Sequence, residues 1–131
     1  MKLAKTISLI TLLAVGIGCG YSKHATTPPS MGTTPNVSAL VPNSVNHGMP
    51  NSFTLTVNGT NFNSNAAINW NGAAQTTTFV SSNQLTTQVP AASVATAGTV
   101  MVSVTNPGTP GGIYGGGTSP ETSNSMTFTI N

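Results

Sequence analysis

Apolar and polar residues alternate in short runs from residue 37 to the end of the chain. The clearest runs are FTLTV at 53–57 and INW at 68–70, the second of which leads into an Asn-Gly turn pair. Alternation with a period of two places the apolar side chains on one face of a β-strand and the polar ones on the other. Similar runs lie at 79–80, 85–89, 100–104 and 126–130. The pattern predicts about six or seven strands, and helical spacing occurs only over a single turn at 91–97.

The composition supports an all-β fold. Thr, Ser and Asn supply most of the polarity, with 22, 14 and 14 residues, whereas 3% of the chain is charged. Thr favours strands because its branched side chain suits a pleated surface, and frequent Gly, Pro and Asn mark many turns. Residues 37–131 are enough for one modest core but not for two, so we expect a single two-layer β-sandwich.

Five segments of this region resemble the successive strands of the TIG, or IPT, immunoglobulin-like domain found in bacterial surface and secreted proteins. The resemblance extends over residues 37–131. It rests on the order and spacing of the segments taken together: FTLTVNGTNF, AINWNG, TTFVSSNQLTTQVP, VATAGTVMVSVTNPG and SNSMTFTI. It implies an all-β, early-set immunoglobulin-like β-sandwich of about seven strands. The family has no shared catalytic residues, and its members serve as spacers, adhesion modules or partner-binding domains.

Residues 1–18 are typical of a signal peptide and resemble the signal of a bacterial lipoprotein. Two Lys precede an apolar stretch that is shorter than the roughly 20 residues that a bilayer span needs. Gly18 stands before Cys19, the single Cys of the chain, where such signals are cut and lipidated. The resemblance implies an exported protein with a lipid on Cys19; the alternative is an ordinary signal peptide followed by an unimportant Cys. Gly20, in place of an Asp, favours the outer membrane or the cell surface.

Residues 19–36 are expected to form the lipidated Cys and a flexible Thr/Pro-rich tether. They show no hydrophobic period and contain three Pro near their end. Cleavage before Cys19 would leave Lys23 and Glu121 as the charged side chains, so the mature chain is close to neutral. Nucleic-acid binding needs several Lys or Arg to neutralise phosphates, so we exclude DNA and RNA as partners.

The inventory of reactive side chains argues against an enzyme and against a resident cofactor or metal. A pair of catalytic carboxylates needs two acids and a Ser-His-Asp triad needs an Asp, whereas Glu121 is the single acid of the chain. His24 and His47 lack neighbouring residues that would complete a zinc site. The Gly-rich segment 111–117 has neither the Lys nor the helix of a phosphate-binding loop, so its glycines are interpreted as serving the backbone angles of a loop.

The connection between the last two predicted strands is longer than the short turn usual in the resembling family. We predict that this loop, residues 107–122, contacts a partner, with Tyr114, Ile113 and Glu121 as the candidate contact residues. Loops at the end of an immunoglobulin-like sandwich often carry recognition, because the sheets hold them at their bases while their tips vary.

Two functions remain open. The first is a non-catalytic, lipid-anchored domain for protein interaction, adhesion or structural presentation at the cell surface or in the periplasm. The alternative is a glycan-binding module that assists a separate enzyme or transporter, with Tyr114 and Trp70 as stacking platforms. The alternation of Trp70 with Ile68 favours a core role for Trp70 instead, since sandwiches often bury one large aromatic side chain between their sheets.

Overall fold

The computed structural model describes residues 28–131, which form two packed β-sheets. The predicted signal peptide, Cys19 and the first part of the predicted tether, with Lys23 and His24, lie outside the described residues. Within residues 28–131, seven strands of four residues or more are joined by three strands of two residues each. The strands are β1 (Asn36–Val41), β2 (Ser44–Val45), β3 (Phe53–Thr60), β4 (Ala67–Trp70), β5 (Ala73–Ala74), β6 (Thr77–Ser81), β7 (Gln84–Val89), β8 (Gly98–Asn106), β9 (Glu121–Thr122) and β10 (Met126–Ile130).

A short helical turn interrupts the strands where the sequence predicted one. It is a 3₁₀ turn at Ala91–Val94, between β7 and β8. No helix among the described residues has the length and apolar character needed to cross a membrane.

The strand order is that of an immunoglobulin-like sandwich. One sheet has the order β1-β3-β7-β6, and the other has the order β2-β10-β8-β4-β5, with β9 also paired to β8. The chain switches sheets after β1, where the Val41–Pro42 peptide is cis, and β2 then pairs in parallel with β10. The other strand pairings are antiparallel. The predicted all-β, immunoglobulin-like β-sandwich is confirmed.

The core lies between the sheets and is built from the inward side chains of the alternating runs. Leu55, Ile68, Leu85 and Phe128 are fully buried. Trp70 is 7% exposed, and its ring centroid lies 5.0 Å from that of Phe128. Removal of such large apolar side chains from water is the main favourable contribution to folding. Trp70 therefore belongs to the core, as its alternation with Ile68 predicted.

Both outer strands of the four-stranded sheet carry a β-bulge. In β1 the register with β3 shifts between Val37 and Ala39, and in β6 the register with β7 shifts between Phe79 and Ser81. A bulge adds one residue to one strand and bends that strand. Phe79 and Val80 are exposed, so the apolar pair that marked this run in the sequence lies at a sheet edge rather than in the core.

The loops are grouped at the two ends of the sandwich. At the end where β1 begins lie the β3–β4 connection, the β6–β7 turn and the long β8–β10 connection. The 3₁₀ turn and the C-terminal residue lie at the other end, because β8 begins there and β10 ends there. The chain therefore enters the domain at the same end as the long connection that the sequence singled out.

Candidate interaction site

The long connection between β8 and β10 contains a β-hairpin at residues 109–118, which we call the hairpin. At its base, Thr118 N–H donates to the Thr109 carbonyl at 3.0 Å, and Thr109 N–H donates to the Thr118 hydroxyl at 2.9 Å. Near its other end, Gly112 and Gly115 exchange backbone hydrogen bonds of 3.1 and 2.9 Å around a two-residue turn. Hydrogen bonds thus join the two arms at the base and beside the turn, and the turn has the two residues of a short β-hairpin.

Glycines allow the two arms of the hairpin to approach closely. Gly115, Gly116 and Gly117 have φ angles of 87°, 86° and 91°, a region that other residues rarely adopt. A Cβ added to Gly117 would lie 2.6 Å from the backbone nitrogen of Gly111, so a side chain there would force the arms apart. The glycines therefore serve the backbone angles of this loop, as the sequence indicated.

Ile113 and Tyr114 form the tip of the hairpin. They occupy the two turn positions between Gly112 and Gly115, and they are 88% and 63% exposed. A single exposed apolar side chain needs no explanation, but neighbouring ones together form a candidate contact surface. Two of the three contact residues predicted from the sequence are thus brought together in one exposed turn.

Glu121, the third predicted contact residue, lies beyond the base of the hairpin and not at the tip. It begins β9, where it pairs with Asn106 of β8, and it is half-buried. Its carboxylate accepts a hydrogen bond of 3.3 Å from the hydroxyl of Thr34. Glu121 therefore connects the long connection to the N-terminal segment, at a place separate from the tip.

Residues 30–34, which we call the strap, pack along the hairpin and β9. Ser30 and Thr118 form a parallel β-bridge, in which Ser30 N–H donates to the Gly117 carbonyl at 3.1 Å and the Ser30 carbonyl accepts from Ser119 N–H at 3.0 Å. These residues belong to the predicted flexible tether, but their hydrogen bonds attach them to the folded domain. The difference arises because a segment without apolar alternation carries no local signal for backbone pairing.

Asn106 joins the strap to the sandwich. Its side chain is 2% exposed, and its amide nitrogen donates to the carbonyls of Thr33 at 2.8 Å and Asn61 at 2.7 Å. Its side-chain oxygen accepts from Asn63 N–H at 3.0 Å. A buried amide with all of these partners holds three segments of the chain in place. Sequence reasoning missed Asn106, although position 106 follows 100, 102 and 104 in the inward register of β8, where a polar residue needs buried partners.

Asn124 forms a second side-chain link that sequence reasoning missed. Its side-chain oxygen accepts from Val37 N–H at 2.9 Å, and its amide nitrogen donates to the Val37 carbonyl at 2.8 Å. The side chain thereby pairs with β1 as a neighbouring strand would, and it ties the segment before β10 to the opposite sheet. This link closes the end of the sandwich from which the long connection extends.

The other candidate residues are dispersed. His47 lies at the opposite end of the sandwich, where its Nδ1 is 2.6 Å from the carbonyl oxygen of Asn131. Across residues 28–131, no three His, Cys, Asp or Glu side chains come together as they would to bind a metal ion. This part of the chain also encloses no pocket.

The domain matches a known protein family. The IPT/TIG domain family matches residues 35–130, which is more than half of the chain. No curated protein matches this chain. Among solved structures, an auxiliary nutrient binding protein from Bacteroides ovatus ATCC 8483 is similar, with 18% sequence identity and a TM-score of 0.46. The similarity covers 80% of this chain but 22% of that one, so this chain corresponds to a small part of that protein. On the family match, the chain belongs to the IPT/TIG domain family.

Proposed function

We propose that this chain is a non-catalytic interaction module, exported and anchored to a bacterial membrane by lipid on Cys19, which binds a partner through the tip of its hairpin. The observation that carries the proposal is the joint exposure of Ile113 and Tyr114 in one turn. Membership of the IPT/TIG family supports the non-catalytic role, because the family has no shared catalytic residues.

The construction of the hairpin favours binding. Its arms are hydrogen bonded at the base and beside the turn, which reduces the backbone freedom that is lost when a partner binds. The strap and β9 support the base of the same connection. Tyr combines a large apolar face with a hydroxyl group, and such side chains contribute strongly at many interfaces. The sandwich therefore supports the base of the hairpin, and the hairpin exposes Ile113 and Tyr114 at its turn.

The proposed anchor rests on the sequence of the first 19 residues. One acyl chain binds a membrane only marginally, whereas two chains bind durably, so a diacylglyceryl group on Cys19 would keep the domain at the membrane. Electrostatic attachment would need a cluster of Lys or Arg, and the chain has three such residues in total. Lipid on Cys19 is therefore the means of attachment that the sequence favours.

The burial of Trp70 weakens the alternative of a glycan-binding module. Stacking on a sugar ring needs an exposed aromatic face, and Trp70 lies between the sheets. If the chain binds a glycan, Tyr114 at the tip would have to supply the aromatic face that stacks on the sugar ring. A screen of the purified protein against polysaccharides tests this alternative, which would be supported by binding that Tyr114→Ala abolishes without a change in melting temperature.

Photo-crosslinking in intact cells of the producing bacterium tests the tip as the contact surface. A photoreactive amino acid replaces Tyr114 in one variant and Met101 in the matched control, because Met101 is 47% exposed but lies on β8. We expect crosslinked products from position 114 and none from position 101. No product from position 114, or equal products from both positions, would contradict the proposal.

Cys19→Ser tests the anchor separately. Without a thiol to carry the lipid, the protein should leave the membrane fraction or retain its signal peptide. Cell fractionation and intact mass measure the two outcomes. Unchanged membrane association together with an unchanged mass would show that Cys19 carries no lipid.

A further inference from the structure

The strap shows in which direction the chain leaves the domain toward its N-terminus. Because the bridge between Ser30 and Thr118 is parallel, the chain before Ser30 runs beside the chain before Thr118. The chain before Thr118 is the second arm of the hairpin, which leads back through Gly117 to the tip. Pro28 and Pro29 therefore lie on the side of Ser30 that faces the tip.

The chain between this point and the proposed lipid is short. Cys19 lies nine positions before Pro28 in the sequence. Nine residues span at most about 30–32 Å even when fully extended. A lipid on Cys19 would consequently keep the hairpin end of the sandwich within about 30–32 Å of the bilayer.

The exposed side chains at the hairpin end are of the types that enter a lipid interface. The tip consists of Ile113 and Tyr114, which are 88% and 63% exposed. Tyr is enriched at membrane interfaces, because its ring can enter the apolar region while its hydroxyl stays at the level of the headgroups. No charged residue occurs between positions 105 and 120, so insertion of the tip would remove no charge from water.

The backbone of the hairpin also suits contact with lipid. Polar backbone groups that enter an apolar layer need partners within the protein. Gly112 and Gly115 exchange two backbone hydrogen bonds beside the turn. At the base, Thr118 N–H donates to the Thr109 carbonyl and Thr109 N–H donates to the Thr118 hydroxyl. The charged Glu121 lies beyond that base, where it accepts a hydrogen bond from Thr34.

We infer that the tip of the hairpin inserts into the interface of the bilayer that carries the lipid of Cys19. The inference rests on the proposed lipid anchor, and it identifies the partner of the tip as a lipid surface rather than a protein or a glycan. Because the lipid and the tip are two points of attachment, they hold the domain in one orientation relative to the membrane. The 3₁₀ turn and Asn131, at the opposite end of the sandwich, then face away from the membrane.

Quenching by brominated lipids tests the inference on the full lipoprotein in vesicles of phosphatidylethanolamine and phosphatidylglycerol. Tyr114→Trp places an indole at the tip, and Met101→Trp is the matched control on the sandwich. The unsubstituted protein supplies the background from buried Trp70. Brominated acyl chains should quench the fluorescence of Tyr114→Trp and leave that of Met101→Trp at its value in ordinary lipid. The emission of Tyr114→Trp alone should shift to the blue on reconstitution.

The outcomes separate this inference from the anchor on which it rests. A lipidated Tyr114→Trp protein that floats with the vesicles but is not quenched overturns the inference and leaves the anchor intact. A mature chain whose mass shows no lipid overturns both. Equal quenching of both variants also overturns the inference, since it would show adsorption without orientation. Ile113→Trp serves as the second probe of the tip if Tyr114→Trp lowers the melting temperature.

Discussion

Replacement of Asn106 by Ala would remove the side chain that connects the strap, β8 and the β3–β4 connection. The substitution deletes the hydrogen bonds from the amide nitrogen to the carbonyls of Thr33 and Asn61. It also deletes the hydrogen bond that Asn63 N–H donates to the side-chain oxygen. Two carbonyls and one N–H group then lose the partner that the folded state provides for them.

The structure sets the size of the expected effect. A lost hydrogen bond costs about 0.5–1.5 kcal/mol where water can replace the partner, and about 1–3 kcal/mol where the group stays buried without one. Thr33, Asn61 and Asn63 are themselves exposed residues, so water can reach some of the freed groups. We therefore expect Asn106→Ala to lower the free energy of unfolding by about 2–4 kcal/mol. This is a large fraction of the roughly 5–15 kcal/mol that stabilises a typical domain.

Urea unfolding followed by the fluorescence of Trp70 measures the loss, and Asn106→Asp is the matched variant. Asp keeps the size of Asn and can still accept from Asn63 N–H, but at neutral pH it places a carboxylate oxygen against the carbonyls of Thr33 and Asn61. It should be at least as destabilising as Ala. An Asn106→Ala protein within about 0.5 kcal/mol of the parent would refute the assigned role. An Asp variant clearly more stable than the Ala variant would show that the two donated hydrogen bonds contribute little.

Three further substitutions test the core and the hairpin. Trp70→Ala should lower the free energy of unfolding by about 3–5 kcal/mol, because it empties a site packed against Phe128; a calorimetric melting temperature close to the parent's would contradict the core assignment. Gly117→Ala should open the hairpin more than Gly116→Ala, because a Cβ at 117 would lie 2.6 Å from Gly111 nitrogen whereas one at 116 meets no atom within 4 Å. Both glycines have positive φ, so Ala strains the backbone at either position. Equal rates of amide exchange at Thr118 in the two variants would therefore show that this strain, and not the close contact at 117, opens the hairpin.

The strands could be predicted from the sequence because one-sided burial is a local property of residue order. Val100, Val102 and Val104 alternate with polar or exposed residues, and all three are buried in β8. The same rule failed to distinguish a central strand from an edge strand at Phe79. An apolar run is compatible with either position, and the choice depends on which strands lie beside it.

The tip could be predicted in part, and its supports could not. The unusual length of the β8–β10 connection marks Ile113 and Tyr114 as candidates, since a loop that is longer than the usual turn of the family is visible in the sequence. The strap was missed because Ser30 pairs with Gly117 and Ser119, which are distant in the sequence, through backbone groups that every residue possesses. Hydrogen bonds of that kind follow from the tertiary fold, and the pattern of side chains does not encode them locally.

The two bulges of the four-stranded sheet bear on the resistance of this protein to aggregation. Open sheet edges can pair with another chain, and many proteins discourage such pairing with Lys at the edge. Residues 28–131 contain no Lys or Arg and one acid, so charge repulsion cannot protect these edges. The outer strands β1 and β6 are bulged instead, and the outer strands of the other sheet, β2 and β5, have two residues each. Protection by shape is insensitive to ionic strength, because there is no repulsion for salt to screen.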